Sequence, residues 1–145
     1  MVNMRTLRAA VVLVIEPDQC FRSLIGASLR QEGHRVVEAA DDRTAVEMLG
    51  RLRPNLILID DDMDRTWLLS RLASTPSLAG IPIIAMGGNG DLVRLARAGI
   101  IDSINKPFGY TELQASVSTV LALSPEDVAF ERERIVALAG ELTAA

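Results

Sequence analysis

One cysteine, one lysine, one histidine and five aromatic residues are all that 145 positions hold of those types, and each scarcity excludes something. A lone Cys20 cannot close an internal disulfide, which suits a reducing compartment. Its place on an apolar helical face predicts a buried, unreactive thiol. Apolar runs are short: the stretch from Ala9 to Ile15 falls far below the roughly 20 residues that cross a bilayer. The opening Met1-Val2-Asn3-Met4-Arg5 lacks the apolar segment and cleavage site of a signal peptide, so a cytoplasmic protein with no membrane contact is expected. The formal net charge of −4 argues against a nucleic-acid-binding surface. His34 stands between a helix and a strand with no nucleophile near it in sequence and reads as a surface residue.

What is present is alternation. Val11-Val12-Leu13-Val14-Ile15 is continuous and rich in β-branched residues, as a strand buried on both faces must be. Phe21, Leu24, Ile25 and Leu29 then recur at helical spacing, and Gly33 closes that segment. Arg35 to Ala39 reads as a second strand. Asp41 or Asp42 caps a second helix with Ala45, Val46, Leu49 and Leu52 on its inner face. Leu56 to Asp60 is the third strand, and Trp67 to Thr75 the third helix, with Leu68, Leu69 and Leu72 inward. Ile81 to Met86 is the fourth strand, with Pro82 near its start where a ladder bond is least missed. Asp91 to Ala98 makes a short helix ended by Gly99, and Ile100 to Asn105 is the fifth strand. Thr111 with Gln114 predicts a capping box for a fifth helix carrying Leu113, Val117, Val120 and Leu121. Ser124-Pro125-Glu126-Asp127 opens a sixth helix over Val128 to Ala139.

Strands alternating with helices predict an α/β fold: right-handed βαβ units in a doubly wound, five-stranded parallel sheet. In such sheets the functional site lies at the carboxyl ends of the strands. The residues at those ends are Glu16, Asp60, Gly87 and Lys106. Lys106 stands out because the other fourteen basic residues are arginines. A compact ammonium on a long stem suits one small anion, and Asp60 is the candidate partner.

The order of motifs over roughly residues 10 to 123 resembles the receiver domain of bacterial two-component response regulators. The resemblance implies strand order 2-1-3-4-5, with residues 1–123 as the receiver-like domain and 124–145 as an extra C-terminal helix. That helix is open to three roles: a packed appendage, a homodimer contact or a linker remnant. Leu56 to Asp60 matches the acceptor strand, so Asp60 is implied as the aspartate that takes a phosphoryl group from a histidine kinase. Lys106-Pro107-Phe108 matches the segment whose lysine pairs with the phosphoryl oxygens, and the bond before Pro107 is implied to be cis. Glu16 matches the first acid of a metal-holding pair. Mg²⁺ is then implied at Glu16, Asp60 and the backbone carbonyl of Asp62, with Asp18 as a further candidate ligand.

Departures from the family pattern are equally specific. Pro17 replaces the second acid and displaces Asp18 by one place. Gly87 stands where the family carries a hydroxyl that follows the phosphoryl group, and Ser103 stands at the position of the switching aromatic. The loop Asp62-Met63-Asp64-Arg65-Thr66 is short. The resulting expectation is a stand-alone, divergent receiver in a phosphorelay, partnered by a histidine kinase or phosphotransfer protein and by a downstream protein target. No output domain fits in the 22 residues after Leu123, so output through protein contacts is expected. Chemistry of its own would be limited to weak self-phosphorylation and dephosphorylation at Asp60. The alternative is a phosphorylation-independent module that docks partners through its fourth helix, fifth strand and fifth helix. A third reading is a small nucleotide-binding, flavodoxin-like enzyme using the Gly87–Gly90 loop; against it, that loop lacks a Walker lysine and the glycine spacing of a dinucleotide site, and the chain offers no nucleophile–base pair.

Overall fold

A computed structural model describes residues 10–88 and 91–144; the Met1–Arg5 start and Asn89-Gly90 of the glycine loop lie outside the described residues. In chain order the elements are β1 (Val11–Ile15), α1 (Gln19–Gln31), β2 (Arg35–Ala39), α2 (Asp42–Leu49), β3 (Leu56–Asp60) and α3 (Thr66–Ser74). There follow β4 (Ile83–Met86), α4 (Leu92–Ala98), β5 (Asp102–Ile104), α5 (Tyr110–Leu121) and α6 (Pro125–Thr143). All strand pairs are parallel and the sheet order is β2-β1-β3-β4-β5, as expected for the doubly wound α/β fold.

Apolar residues alternate between the two faces of the central strands. Leu13, Ile15, Ile57 and Ile59 pack under α2, α3 and α4 with Ala45, Leu49, Leu68, Leu72 and Leu95. Val12, Val14, Leu56 and Leu58 meet Ile25 and Leu29 of α1 and Leu113 and Val117 of α5 on the other face. This double burial is why β1 and β3 carry no polar residue before their carboxyl ends. The register sets Ile15 beside Ile59 and Asp60 beside Met86, so the strands finish on one edge.

Several expectations shift in detail. β4 begins at Ile83, because the Ile81 N–H closes a turn onto the Leu78 carbonyl and Pro82 has no N–H to give. β5 is shorter than expected, since the Ile100 N–H is spent on the Leu95 carbonyl behind α4. Thr111 does not cap α5: the helix starts at Tyr110, and its N-cap lies two residues earlier than expected, at Gly109, with no side-chain cap. Cys20 is exposed rather than buried, and Leu24 is 63% exposed; the core takes Ile25 and Leu29 from α1 instead.

α6 outruns its expected length and starts on a complete capping box between Ser124 and Asp127. It buries Val128, Ile135 and Ala139, and Ile135 joins the cluster under α4. Arg132 fastens it: the guanidinium donates to the carbonyls of Gly99, Ala79 and Ile81, at the end of α4 and in the turn before β4. Arg132→Ala is expected to cost about 2 kcal/mol in urea unfolding, since three carbonyls lose a charged donor. Arg134→Ala is the control. It loses only an exposed pair with Glu131 and should stay within about 0.5 kcal/mol of the parent.

Candidate functional site

β3 ends on Asp60, which is 2% exposed although charged. One oxygen, Oδ1, accepts from Lys106 Nζ at 2.7 Å, and the other, Oδ2, from Arg65 Nη2 at 3.1 Å. Lys106 lies on the loop after β5, followed by a cis bond to Pro107, and its ammonium also meets Glu16 Oε1 at 3.0 Å and Asp62 Oδ2 at 3.2 Å. Nζ also stands over the Phe21 ring, 5.0 Å from its centroid, and Phe21 packs on Phe108. One ammonium is thus ringed by three carboxylates.

These charges tune one another. Burial pulls the Lys106 ammonium toward neutrality, but bonds to Asp60 and Glu16 outweigh it and hold the pKa above the usual lysine range. Burial pushes the Glu16 carboxyl up; Lys106 opposes that, and the Asp60 charge adds to it. Asp62 is held low, chiefly because the Gly88 N–H donates to its Oδ1 at 2.8 Å. Only between the ordinary glutamate value of about 4.5 and its raised folded value does Glu16 hold a proton in the folded chain that the unfolded chain has released; above that value it is the carboxylate that pairs with Lys106. Its contribution to stability falls as pH rises from about 4.5 through its raised folded value. Glu16→Gln removes this loss, so the variant should gain stability relative to the parent as pH rises above about 4.5 in paired urea titrations.

Of the residues marked in the sequence, Glu16, Asp60, Asp62 and Lys106 come together. Asp18 does not: it is exposed and caps α1, its Oδ1 accepting from the Phe21 N–H. Asp62 contributes its side chain to the cage. Gly87 follows β4 with φ +85°, and a Cβ built there would lie 2.5 Å from Asp62 Oδ1. The Asp62 carboxylate fills the space a side chain at 87 would need. Ser103 sits on β5 opposite Ala85, half-buried.

Arg65 was not marked by its sequence. It is 4% exposed, and its fork donates to the Asp60 carbonyl through Nε at 2.8 Å, to Asp60 Oδ2, and to Asp42 Oδ1 at 2.6 Å. A signal did exist. Arg65 occupies the N-cap position of α3, where Ser, Thr, Asp or Asn is the usual choice, and it makes no side-chain cap bond. Beside it, Asp61 is buried and pairs with both terminal nitrogens of Arg94.

Mg²⁺ asks for six oxygens in near-octahedral array. Both Asp60 oxygens are engaged by cations, Asp18 is a helix cap, and Asp62 serves Gly88 and Lys106. Glu16 Oε2 is the buried side-chain oxygen left without a partner among the described residues. No group of three or more acid, histidine or cysteine side chains among them is arranged to hold a metal ion. As they stand, these residues do not fit Mg²⁺.

Comparison with known proteins locates this chain in a family. The model of the response regulator receiver domain matches residues 12–118. The phosphate regulon transcriptional regulatory protein PhoB of Klebsiella pneumoniae is 34% identical over 116 residues, covering 76% of this chain and 51% of PhoB. The transcriptional regulatory protein PdtaR of Mycobacterium tuberculosis is 30% identical over 126 residues, covering 84% of this chain and 62% of PdtaR. The chain spans about half the length of the curated relatives it matches. Among solved structures, the signal receiver domain of a histidine kinase from Syntrophus aciditrophicus superposes with a TM-score of 0.69 at 28% identity, covering 79% of this chain and 91% of that one. The chemotaxis response regulator CheY4 of Vibrio cholerae shares the fold, with a TM-score of 0.71 at 20% identity over 78% of this chain and 99% of its own. Match, identity and sheet order agree on one conclusion: this chain belongs to the response regulator receiver domain family of two-component signalling.

Proposed function

We propose that Asp60 accepts a phosphoryl group and that the signal leaves through protein contacts. The observation that carries this reading is the 2.7 Å bond from Lys106 Nζ to Asp60 Oδ1 at the carboxyl edge of the sheet. The carboxylate is a nucleophile at the end of a buried strand, and the ammonium is poised for the oxygens that arrive with the phosphorus. Receiver domains interact with histidine kinases or phosphotransfer proteins, and such a partner is the proposed donor here. Receiver domains generally bind Mg²⁺ at the acidic pocket, but no step of this proposal runs through that ion. The chain's own chemistry is confined to weak self-phosphorylation and dephosphorylation at Asp60. An unpaired, exposed Cys20 suits the cytoplasm as the place of action. Among the described residues no helix is long and apolar enough to cross a membrane.

Intact mass after incubation with phosphoramidate tests the acceptor directly. The parent should gain one phosphoryl group and Asp60→Asn none. An unlabelled parent, folded and run beside a competent receiver, would sink the proposal. A second reading then takes over, and one observation favours it: Lys106 and Arg65 already neutralise Asp60, so the cage is complete without phosphate. In that case the domain is a phosphorylation-independent binding module, and Asp60→Ala would leave partner binding intact.

A further inference from the structure

We infer that the Arg65 guanidinium is the resident cation of this site, holding beside Asp60 the place of a divalent ion, so that phosphoryl acceptance needs no metal. The inference rests on Asp60 being an acceptor and says what stabilises the charge there. Its first support is position. Arg65 Nη2 bonds the oxygen that Lys106 leaves, so each Asp60 oxygen faces its own cation. Its second support is anchoring from two sides. Asp42, in the first turn of α2, takes Nη1, while the Asp60 carbonyl takes Nε. The fork is therefore held rigid, which is what charge stabilisation without reorganisation requires.

The third support is a local rule that the chain breaks. An arginine at the N-cap of α3 gives up the side-chain cap bond available there, and that segment gains nothing locally from the exchange. The bond becomes intelligible when the side chain is followed inward to Asp60. Charge points the same way. Glu16, Asp60, Asp62 and Asp42 face Lys106 and Arg65, and a guanidinium stays charged at every working pH. A divalent ion entering at Asp60 Oδ2 would have to displace a buried cation that is bonded three times.

The transfer balances without a metal. A lone pair on an Asp60 oxygen forms a bond to phosphorus as the P–N bond of an N-phosphoryl donor breaks. The departing nitrogen keeps the electron pair and takes a proton from solvent. Three of the five N–H groups of Arg65 are committed, which leaves two as donors for a phosphoryl oxygen.

The test combines phosphoramidate labelling with Mg²⁺ titration by calorimetry on the full chain, the parent beside Arg65→Gln and Arg65→Lys. The parent should label at rates within about twofold in EDTA and in millimolar Mg²⁺, and should show no saturable Mg²⁺ binding. Arg65→Gln should label roughly tenfold more slowly in EDTA, recover with Mg²⁺, and gain measurable Mg²⁺ binding; Arg65→Lys should keep part of the metal-free rate. A purely structural arginine would not exchange its effect for that of a metal. Labelling of the parent that EDTA abolishes overturns the inference and leaves Asp60 as acceptor. No labelling of the parent in any condition sinks the acceptor reading, and the titration still decides the cation. Saturable Mg²⁺ binding by the parent overturns the inference even if both variants misfold.

Discussion

Lys106→Met is expected to destabilise the domain by about 3 kcal/mol, because one ammonium neutralises two buried carboxylates and a third at the surface. Removing one partner of a buried pair commonly costs about 3–5 kcal/mol; the lower end applies because Lys106 keeps 23% of its side chain in water. Methionine keeps an unbranched apolar side chain of similar length, so the loss is that of the charge, including its place over the Phe21 ring. For a chain of this size the corresponding fall in Tm is about 10 °C. Arg65 continues to compensate Asp60, but the Glu16 carboxylate loses its only cation among the described residues. The penalty should therefore grow as pH rises past the point where Glu16 ionises. In the parent, the contribution of Lys106 is fully present below 10.5 and is lost only as pH climbs through its raised folded value. Adding Glu16→Gln and Asp60→Asn to Lys106→Met should restore most of the stability, since no buried charge is then left bare. A single variant as stable as the parent, within about 1 kcal/mol, would mean the cage contributes nothing to folding.

The sheet and half of that cage were legible for one reason: burial on both faces leaves little freedom of composition. β1 ends where its apolar run does, β3 starts where its run does, and Asp60 is conspicuous as a carboxylate ending such a run. Lys106 was legible by rarity. The other half was hidden because loop side chains have no periodicity to betray their direction. Arg65 is one of fourteen arginines and lies in an acidic loop where a solvated charge is the ordinary reading. Only its conflict with the N-cap preference of α3 hints that the side chain is needed elsewhere. Asp62 was read as a carbonyl ligand, whereas its side chain closes the cage, a fact that depends on the left-handed turn at Gly87 and Gly88. Cys20 and Leu24 share the helical spacing of α1 with buried residues, but a five-residue strand needs few partners, and Ile25 and Leu29 suffice.

That same turn sets the outcome of placing a hydroxyl-bearing side chain directly after β4. Gly87→Thr should lower stability by about 3 kcal/mol, because the turn is left-handed there and the Asp62 carboxylate fills the space of the new side chain. The backbone at Gly87 has φ +85°, which strains a β-branched residue by about 1–3 kcal/mol. The added Cβ would also sit 2.5 Å from Asp62 Oδ1 and 2.8 Å from its Cγ. Asp62 is half in water and can swing aside, but it then gives up the Gly88 N–H and the Lys106 ammonium, bonds worth together about 1–2 kcal/mol. These two costs separate in a double-mutant cycle. In an Asp62→Ala background the steric part disappears, so Gly87→Thr should cost only the backbone strain and the pair should couple by about 1–2 kcal/mol. Urea unfolding of the four proteins measures this directly. Full additivity would mean that Asp62 does not occupy the space above Gly87. A Gly87→Thr variant as stable as the parent would deny the left-handed turn itself, and with it the close approach of the Asp62 carboxylate to residue 87.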